Sequence, residues 1–206
     1  IGGGYAKALA AEGAAVMING FGDAGEIESL RQELEALSGA KAAYSNADMT
    51  KPEEIRKMCA DCVEQLGTVD ILINNAGIQF VAPVDEFPED KWNAIMDIIM
   101  NSAFHATKAV VPGMKEKGWG RIINTGSMHS KVASPYKSAY NAAKHGLDGF
   151  GLYLDAFGRG PDPEHHGSAW DDARSGDQRR PARTATDQGI CPDRPDRRSG
   201  DFPVQG

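Results

Sequence analysis

The stretch VDILINNAG, residues 69–77, decides the fold expected for this chain. Its apolar part is too short for an amphipathic helix and is bounded by polar and glycine residues, which is typical of a buried strand. The part from Asn74 to Gly77 carries the residue types of a turn at the end of such a strand. A strand without polar alternation indicates a parallel sheet that is covered by helices on both faces.

The segments around this stretch alternate between strands and helices. We predict strands over residues 14–19, 42–45, 69–74 and 121–125, and helices over residues 3–12, 26–37, 52–66, 89–117 and from 138 onward. The fourth helix is expected to be interrupted near Pro112 and Gly113, because proline breaks the helical hydrogen-bond ladder. This order predicts an α/β fold with a Rossmann-like, doubly wound parallel sheet.

Both ends of the chain depart from that plan. A doubly wound dinucleotide domain begins with a strand and a glycine-rich turn, whereas this chain opens at Ile1, Gly2, Gly3 and Gly4. We therefore expect the first strand, most of the phosphate loop and the last strands to be missing. Apolar periodicity fades after Phe150. We expect a partial dinucleotide-binding domain over residues 1–150 and a tail over residues 151–206, either out-of-frame translation or a disordered interaction segment.

Composition restricts the partners of the chain. Its 206 residues fit one domain, and its formal net charge of -7 at pH 7 argues against nucleic acid or an anionic membrane as the main partner. Three cysteines do not make a disulfide framework, so a cytoplasmic, reduced protein is expected. Cys59 and Cys62 form a C-x-x-C motif inside a predicted helix, without the second pair that a zinc site needs, and we expect no metal.

Three residues indicate the chemistry. Tyr140 and Lys144 are four residues apart, which places both side chains on one face of a helix. A free tyrosine has a pKa of about 10, and a neighbouring ammonium favours its anionic form. The hydroxyl of Ser127, at the end of a predicted strand, can reach the same substrate oxygen. This arrangement suits proton transfer at an alcohol or carbonyl while a hydride moves elsewhere.

Together these residues resemble the short-chain dehydrogenase/reductase family. Within it the sequence is most similar to the bacterial D-3-hydroxybutyrate dehydrogenases, through residues 19–23, 47–50, 74–80, 119–124 and 132–140. The resemblance extends from Ile1 to about Phe150. It implies NAD-dependent oxidation of D-3-hydroxybutyrate to acetoacetate, with Ser127, Tyr140 and Lys144 as catalytic residues. It also implies a homo-oligomer, a tetramer in the family, that pairs through the helices of residues 92–117 and 138–149.

The same resemblance implies two binding sites. The cofactor site comprises Ile1, Gly2, Phe21, Asp48, Met49, Asn75, Ala76, Gly77, Tyr140 and Lys144. NAD is favoured over NADP because no arginine or lysine stands at residues 19–21 to meet a 2′-phosphate. The substrate site comprises Gln79, Ser127, His129, Lys137 and Tyr140. Asp48 has an alternative role as a turn carboxylate, and His129 and Lys137 have alternative roles as ordinary loop residues.

One position departs from the family pattern. Ile99 stands where the family has a catalytic asparagine that holds a water for the proton relay. Asn101 lies two residues further, roughly 200° around a helix, so it replaces that side chain only if the helix is locally offset. Two other functions remain open: another short-chain reductase, such as a 3-oxoacyl-carrier-protein reductase, and a catalytically dead remnant.

Overall fold

The computed structural model describes residues 1–158, with side chains through Gly151. The tail over residues 159–206 lies outside the described residues. Six α-helices are present in the described part: α1 (Gly2–Ala11), α2 (Ala24–Ser38), α3 (Pro52–Leu66), α4 (Glu89–Met96), α5 (Ser102–Lys117) and α6 (Ser138–Gly158). They alternate with four strands: β1 (Val16–Asn19), β2 (Ala42–Ser45), β3 (Ile71–Asn74) and β4 (Arg121–Asn124).

The strands form two separate parallel pairs within residues 1–158. β1 pairs with β2, with Val16 opposite Ala42 and Asn19 opposite Ser45. β3 pairs with β4, with Ile71 opposite Arg121 and Asn74 opposite Asn124. The parallel arrangement predicted from the alternation of strands and helices is confirmed, and the sheet is divided between β1 and β3.

Helix α3 follows its sequence signals closely. It begins at Pro52 and ends at Leu66, as predicted, since proline lacks only an N–H that the first helical turn leaves unpaired. Helix α2 begins two residues earlier than predicted because the carboxylate of Asp23 caps it, accepting hydrogen bonds from the N–H groups of Gly25 at 2.8 Å and Glu26 at 3.0 Å.

The interruption predicted near Pro112 is wrong. Helix α5 continues through Pro112. Pro112 is exposed, and so is Lys108 one turn earlier, whose carbonyl the proline leaves without its helical partner. The break lies instead at a π-helical turn, Asp97–Asn101, which separates α4 from α5. There the N–H of Ser102 reaches back to the carbonyl of Asp97, five residues away, so the turn holds one residue more than an α-turn.

Apolar side chains position the last helix. The buried cluster between α4, the π-helical turn, α5 and α6 contains Ile95, Ile99, Ala103, Ala139, Ala143 and Leu147. Ala139 and Ala143 are fully buried, and their small side chains let α6 approach its neighbours closely. Tyr140 and Lys144 each follow one of these alanines, so packing of the alanine face fixes the direction of the functional face.

The C-x-x-C motif belongs to the packed face of α3. Cys59 is part of a cluster with Ile55, Ala106 and Val110, and burial raises the pKa of its thiol to about 11. The thiol is therefore protonated near neutral pH. Among the described residues, no group of histidine, cysteine, aspartate or glutamate side chains is placed to hold a metal ion. No helix in that part of the chain has the length and apolar character needed to cross a bilayer.

Candidate active site

Tyr140 and Lys144 lie one turn apart on the same face of α6, as their spacing predicts. The Nζ atom of Lys144 lies 5.8 Å from the centroid of the Tyr140 ring. An ammonium at this distance from an aromatic ring is attracted to its face. The pair therefore holds a positive charge beside the phenol group.

Lys144 is held from its other side by the backbone. It is 3% exposed, and its Nζ donates a hydrogen bond of 2.5 Å to the carbonyl of Thr125, just after β4. Burial lowers the pKa of Lys144 from its ordinary value, because the charged form loses hydration. The ammonium is thus fixed in place between the end of β4 and Tyr140.

Ser127 begins the short 3₁₀ turn Met128–Ser130 that follows β4. Its Oγ accepts a hydrogen bond of 3.2 Å from the N–H of His129, and its own N–H donates to the Oγ of Ser130 at 3.1 Å. This reciprocal capping fixes the side chain of Ser127. Because the contact with His129 uses a lone pair, the hydroxyl proton stays available to a substrate oxygen.

His129 packs against the same tyrosine. Its ring meets the ring of Tyr140 edge to face, with centroids 5.9 Å apart at an interplanar angle of 85°. Its Nδ1 lies 3.3 Å from the carbonyl of Val132, so the assigned hydrogen bond makes Nδ1 the donor and leaves Nε2 as an acceptor in the neutral ring. The structure therefore brings His129 together with the catalytic candidates.

Two loops that carry substrate candidates are joined by the backbone. The N–H of Ala82 donates a hydrogen bond of 2.9 Å to the carbonyl of Tyr136. This bond connects the loop that carries Gln79 to the loop that carries Lys137. Gln79 is exposed and Lys137 is half-buried. Tyr136 has a φ of 63°, a left-handed conformation that is unfavourable for a residue with a Cβ and that shapes the loop before α6.

The candidate cofactor residues at the start of the chain lie against the end of β3. A Cβ placed on Gly2 would lie 2.9 Å from the Nδ2 of Asn75, a distance that excludes larger residues unless the amide moves. Gly2, Phe21, Asn75 and Ala76 are among the residues that line a cavity of about 800 Å³. Phe21 is 74% exposed there. The structure thus brings these four residues to one cavity, and Ile1 is exposed beside them.

Asp48 has a defined structural role. Its Oδ1 accepts hydrogen bonds from the N–H of Thr50 at 2.9 Å and from the Thr50 hydroxyl at 2.8 Å. These bonds hold the pKa of Asp48 below its usual value. Its neighbour Met49 packs against the core between α3 and α5. The alternative role of Asp48 as a turn carboxylate is therefore present, and cofactor contacts of Asp48 and Met49 stay predictions.

The π-helical turn places Ile99 and Asn101 in different surroundings. Ile99 is 2% exposed, and its Cγ1 would lie 3.6 Å from a Cβ placed on Gly77. Asn101 is exposed and donates a hydrogen bond of 2.7 Å to the carboxylate of Asp97. An apolar side chain thus packs beneath the Asn75–Gly77 turn, while the amide of Asn101 is bound to Asp97.

Two hydrogen bonds that stabilise the site were not predicted from the sequence. The side chains of Asn74 and Asn124 form a hydrogen bond of 2.8 Å that joins the ends of β3 and β4. The repeated asparagine at the ends of two apolar strands was a signal for this pair. The carbonyl of Thr125 that holds Lys144 gave no signal, because a backbone acceptor is independent of residue type.

Comparison with known families gives a match over most of the chain. The model of the short chain dehydrogenase family matches residues 1–155. The chain belongs to this family. The Rossmann-like fold predicted from the sequence is that of a short-chain dehydrogenase, and the recognition made from residues 69–144 is confirmed.

Two similar relatives carry the same name. D-beta-hydroxybutyrate dehydrogenase of Cupriavidus necator is 52% identical over 151 residues, which are 73% of this chain and 57% of the relative. D-beta-hydroxybutyrate dehydrogenase of Rhizobium meliloti is 48% identical over 144 residues, which are 70% of this chain and 56% of the relative. This short-chain dehydrogenase chain spans about half the length of the curated relatives it matches.

A solved structure agrees with the fold. The crystal structure of a metagenomic short-chain oxidoreductase in complex with NADP superimposes with a TM-score of 0.69 at 25% identity. The match covers 74% of this chain and 69% of that one. The family assignment thus rests on sequence and on structure together.

Proposed function

We propose that this chain carries the catalytic residues of an NAD-dependent dehydrogenase that oxidises D-3-hydroxybutyrate to acetoacetate. The observation that carries the proposal is the buried Lys144, held by the carbonyl of Thr125 next to the ring of Tyr140. Ser127 and His129 lie at the same end of β4. The names of the two relatives at about 50% identity support the choice of substrate.

The chain's own residues account for the proton transfer. The deprotonated phenolate of Tyr140 takes the proton of the substrate hydroxyl as general base. Lys144 stabilises the anionic oxygen of Tyr140 by its positive charge. The Ser127 hydroxyl donates a hydrogen bond to the substrate oxygen while that oxygen becomes a carbonyl. A bound nicotinamide supplies the acceptor for the hydride that leaves the carbinol carbon.

The residues present fit a nicotinamide dinucleotide. The close approach of Gly2 to Asn75 leaves the first turn of α1 without side chains beside the end of β3, and backbone N–H groups at such a helix start attract phosphate. Asp23 stands close to the end of β1, where a carboxylate repels a 2′-phosphate. This supports NAD over NADP, although the structural neighbour was crystallised with NADP.

Three side chains are proposed to hold the substrate carboxylate. Gln79 and Lys137 offer an amide and an ammonium, each of which can donate to a carboxylate, and the Nε2 of His129 can donate to it in the imidazolium form, with Nδ1 still bonded to Val132. The contact between His129 and Tyr140 and the bond between Ala82 and Tyr136 support a shared substrate pocket. A 3-oxoacyl-carrier-protein reductase would not need this set for its thioester substrate.

The proposal includes the organisation of the chain. Residues 1–150 are proposed as a partial cofactor-binding domain and residues 151–206 as a tail outside the family. We also propose a cytoplasmic homo-oligomer that pairs through α4, α5 and α6. Phe104 on α5 is exposed, with Lys108 over its ring, and so offers an apolar contact for a second copy. Phe104→Asp should shift the sedimentation coefficient of the purified chain toward that of a monomer.

The deciding experiment is NADH formation by the purified chain from D-3-hydroxybutyrate. Tyr140→Phe is the matched control, since it removes the proton-transfer oxygen and keeps the ring against His129. Activity that requires Tyr140 and prefers the D over the L enantiomer supports the proposal. A chain that is folded by circular dichroism but inactive with both NAD and NADP would identify the catalytically dead remnant, with Ile99 as the first position to restore to asparagine.

A further inference from the structure

The segment of residues 131–137 is bound to α6 by a side chain that the proposed proton transfer does not use. Asn141 follows Tyr140 on this helix and is half-buried. Its Nδ2 donates a hydrogen bond of 2.8 Å to the carbonyl of Ser134, and its Oδ1 accepts one of 3.4 Å from the N–H of Ser134. One carboxamide therefore binds both backbone groups of a single residue, as a residue of a paired antiparallel strand does.

This double contact depends on the chemistry of asparagine. Its amide carries both a donor and an acceptor, whereas aspartate at the same place would keep only the acceptor and leucine would keep neither. Asparagine is less favourable than leucine inside a helix, because its side chain competes for backbone groups. At Asn141 those bonds go to Ser134, seven residues earlier and outside α6. The side chain thus joins the segment before α6 to the helix itself.

The same contacts surround a strained residue. Tyr136 has a φ of 63°, and such a conformation persists where the surrounding structure holds it in place. The side chain of Asn141 binds Ser134, two residues before it, and the N–H of Asn141 donates a hydrogen bond of 2.8 Å to the carbonyl of Lys137, directly after it. The carbonyl of Tyr136 itself is bound by Ala82. Asn141 therefore holds the backbone on both sides of Tyr136.

We propose that Asn141 is a positioning residue for substrate binding, which holds residues 134–137 so that Lys137 reaches the substrate carboxylate. It acts through Lys137 and not on the reacting atoms. Because Asn141 follows Tyr140 directly, its bonds set the position of the carboxylate-binding group relative to the general base. The inference rests on the proposed function, since binding of the carboxylate by Lys137 is part of that function.

The test compares NADH formation from D-3-hydroxybutyrate by the full chain and by its Asn141→Leu variant. We expect KM to rise about 10-fold while kcat changes less than about twofold, because a binding interaction is weakened and the proton-transfer group is kept. Asn141→Asp should raise KM less, since its carboxylate still accepts from the N–H of Ser134. A fall in kcat with an unchanged KM would overturn the inference.

Lys131→Met is the matched control, because it releases the same segment from α6 at another point. The Nζ of Lys131 donates a hydrogen bond of 2.5 Å to the carboxylate of Asp148, and the lysine side chain is 70% exposed. Since an exposed ion pair contributes little, KM should change less than about twofold. A rise equal to that in Asn141→Leu would show that any attachment of the segment has this effect, and would overturn the assignment to Asn141.

A double-mutant cycle tests whether Asn141 acts through Lys137. Lys137→Met alone should raise KM by about 10- to 100-fold, as expected for loss of a hydrogen bond to a charged group. Adding Asn141→Leu to that variant should not raise KM further, because the side chain to be positioned is already absent. Full additivity of the two substitutions would overturn the inference, and so would an unchanged KM in Lys137→Met.

Amide hydrogen exchange measures the attachment without catalysis. The amides of Ser134, Tyr136 and Lys137 should exchange faster in Asn141→Leu than in the wild type, while those of α3 should exchange at the same rate. Equal exchange at the three amides in both proteins would overturn the inference. A wild type inactive with D-3-hydroxybutyrate would contradict the proposed function and the inference with it, whereas an active wild type matched by Asn141→Leu in KM would contradict the inference alone.

Discussion

The amino-terminal half of the described fold, residues 1–45, differs from the carboxy-terminal half, residues 71–151, in the size of its core. The first is held by Leu34 among three alanines, Ala6, Ala10 and Ala42, with three partly buried apolar side chains packed against them. The second contains Ile95, Ile99 and Leu147, with six further partly buried apolar side chains packed against them. Since a buried leucine or isoleucine contributes roughly 1.5–3 kcal/mol, the second half has the larger apolar stabilisation.

The difference matters because the candidate catalytic residues all lie in the second half. Their contacts with Thr125, His129 and Ser130 are made there too. The first half contributes candidate cofactor residues such as Gly2 and Phe21, which line the same cavity as Asn75. Catalytic geometry and cofactor binding should therefore respond to different substitutions.

Tyr140→Phe should have the largest effect, a loss of catalytic rate without a loss of NAD affinity. It therefore tests whether catalysis in the second half is independent of cofactor binding in the first. If the proposed chemistry is correct, kcat falls by about 100- to 10,000-fold because the general base is lost. The melting temperature and the NAD dissociation constant should change little. Steady-state kinetics, differential scanning calorimetry and NAD titration measure the three quantities. A parallel loss of NAD affinity would show that the halves are not separable.

Shortening one buried side chain in each core should show whether the two halves unfold independently. Ile99→Ala and Leu34→Ala each remove a fully buried side chain and should cost about 2–5 kcal/mol. Amide hydrogen exchange should accelerate mainly in α4–α6 for the first variant and mainly in α1 and α2 for the second. Equal acceleration across residues 1–151 in both variants would mean that the two halves unfold as one unit.

Asp48→Ala should have a smaller effect, about 1 kcal/mol near neutral pH, through lost hydrogen bonds to Thr50. The folded-state pKa of Asp48 is lowered, so its contribution is present above the unfolded pKa and is lost as pH falls through the folded value. Urea unfolding of the wild type between neutral and acid pH should therefore converge with that of the variant. A constant difference down to the lowest pH would contradict this role.

Lys144→Met should have the smallest effect on the free energy of unfolding, and this effect should appear at alkaline pH. Burial lowers the folded-state pKa of Lys144 below its ordinary value of 10.5, so the unfolded chain binds more protons between the two values. Wild-type stability should rise with pH across that window relative to the variant, which has no titrating group there. Urea midpoints of both proteins measured at matched pH values test the sign. A relative fall would indicate that the folded state prefers the ammonium.

Some helix boundaries and site residues could be predicted from local sequence signals, and others depend on tertiary packing. Both ends of helix α3 were predicted to the residue, and Pro52 marks its start. The interruption of α5 was misplaced because the exposure of Pro112 and the register of the π-helical turn depend on tertiary packing. Tyr140 and Lys144 were predictable from spacing on one helix. The hydrogen bond from Lys144 to Thr125 was not predictable, because its acceptor is a backbone carbonyl.

The π-helical turn also has a consequence for evolution by insertion and deletion. A π-turn can arise when one residue is added to a continuous α-helix, and removal of one residue from Asp97–Asn101 could restore that continuous helix. Each residue of an α-helix advances by about 100°, so such a deletion would turn Ile95 away from the partners it shares with Ile99 and Ala103. The length of this short segment therefore sets the rotational phase of α4, and single-residue deletions there should be tolerated far less than substitutions.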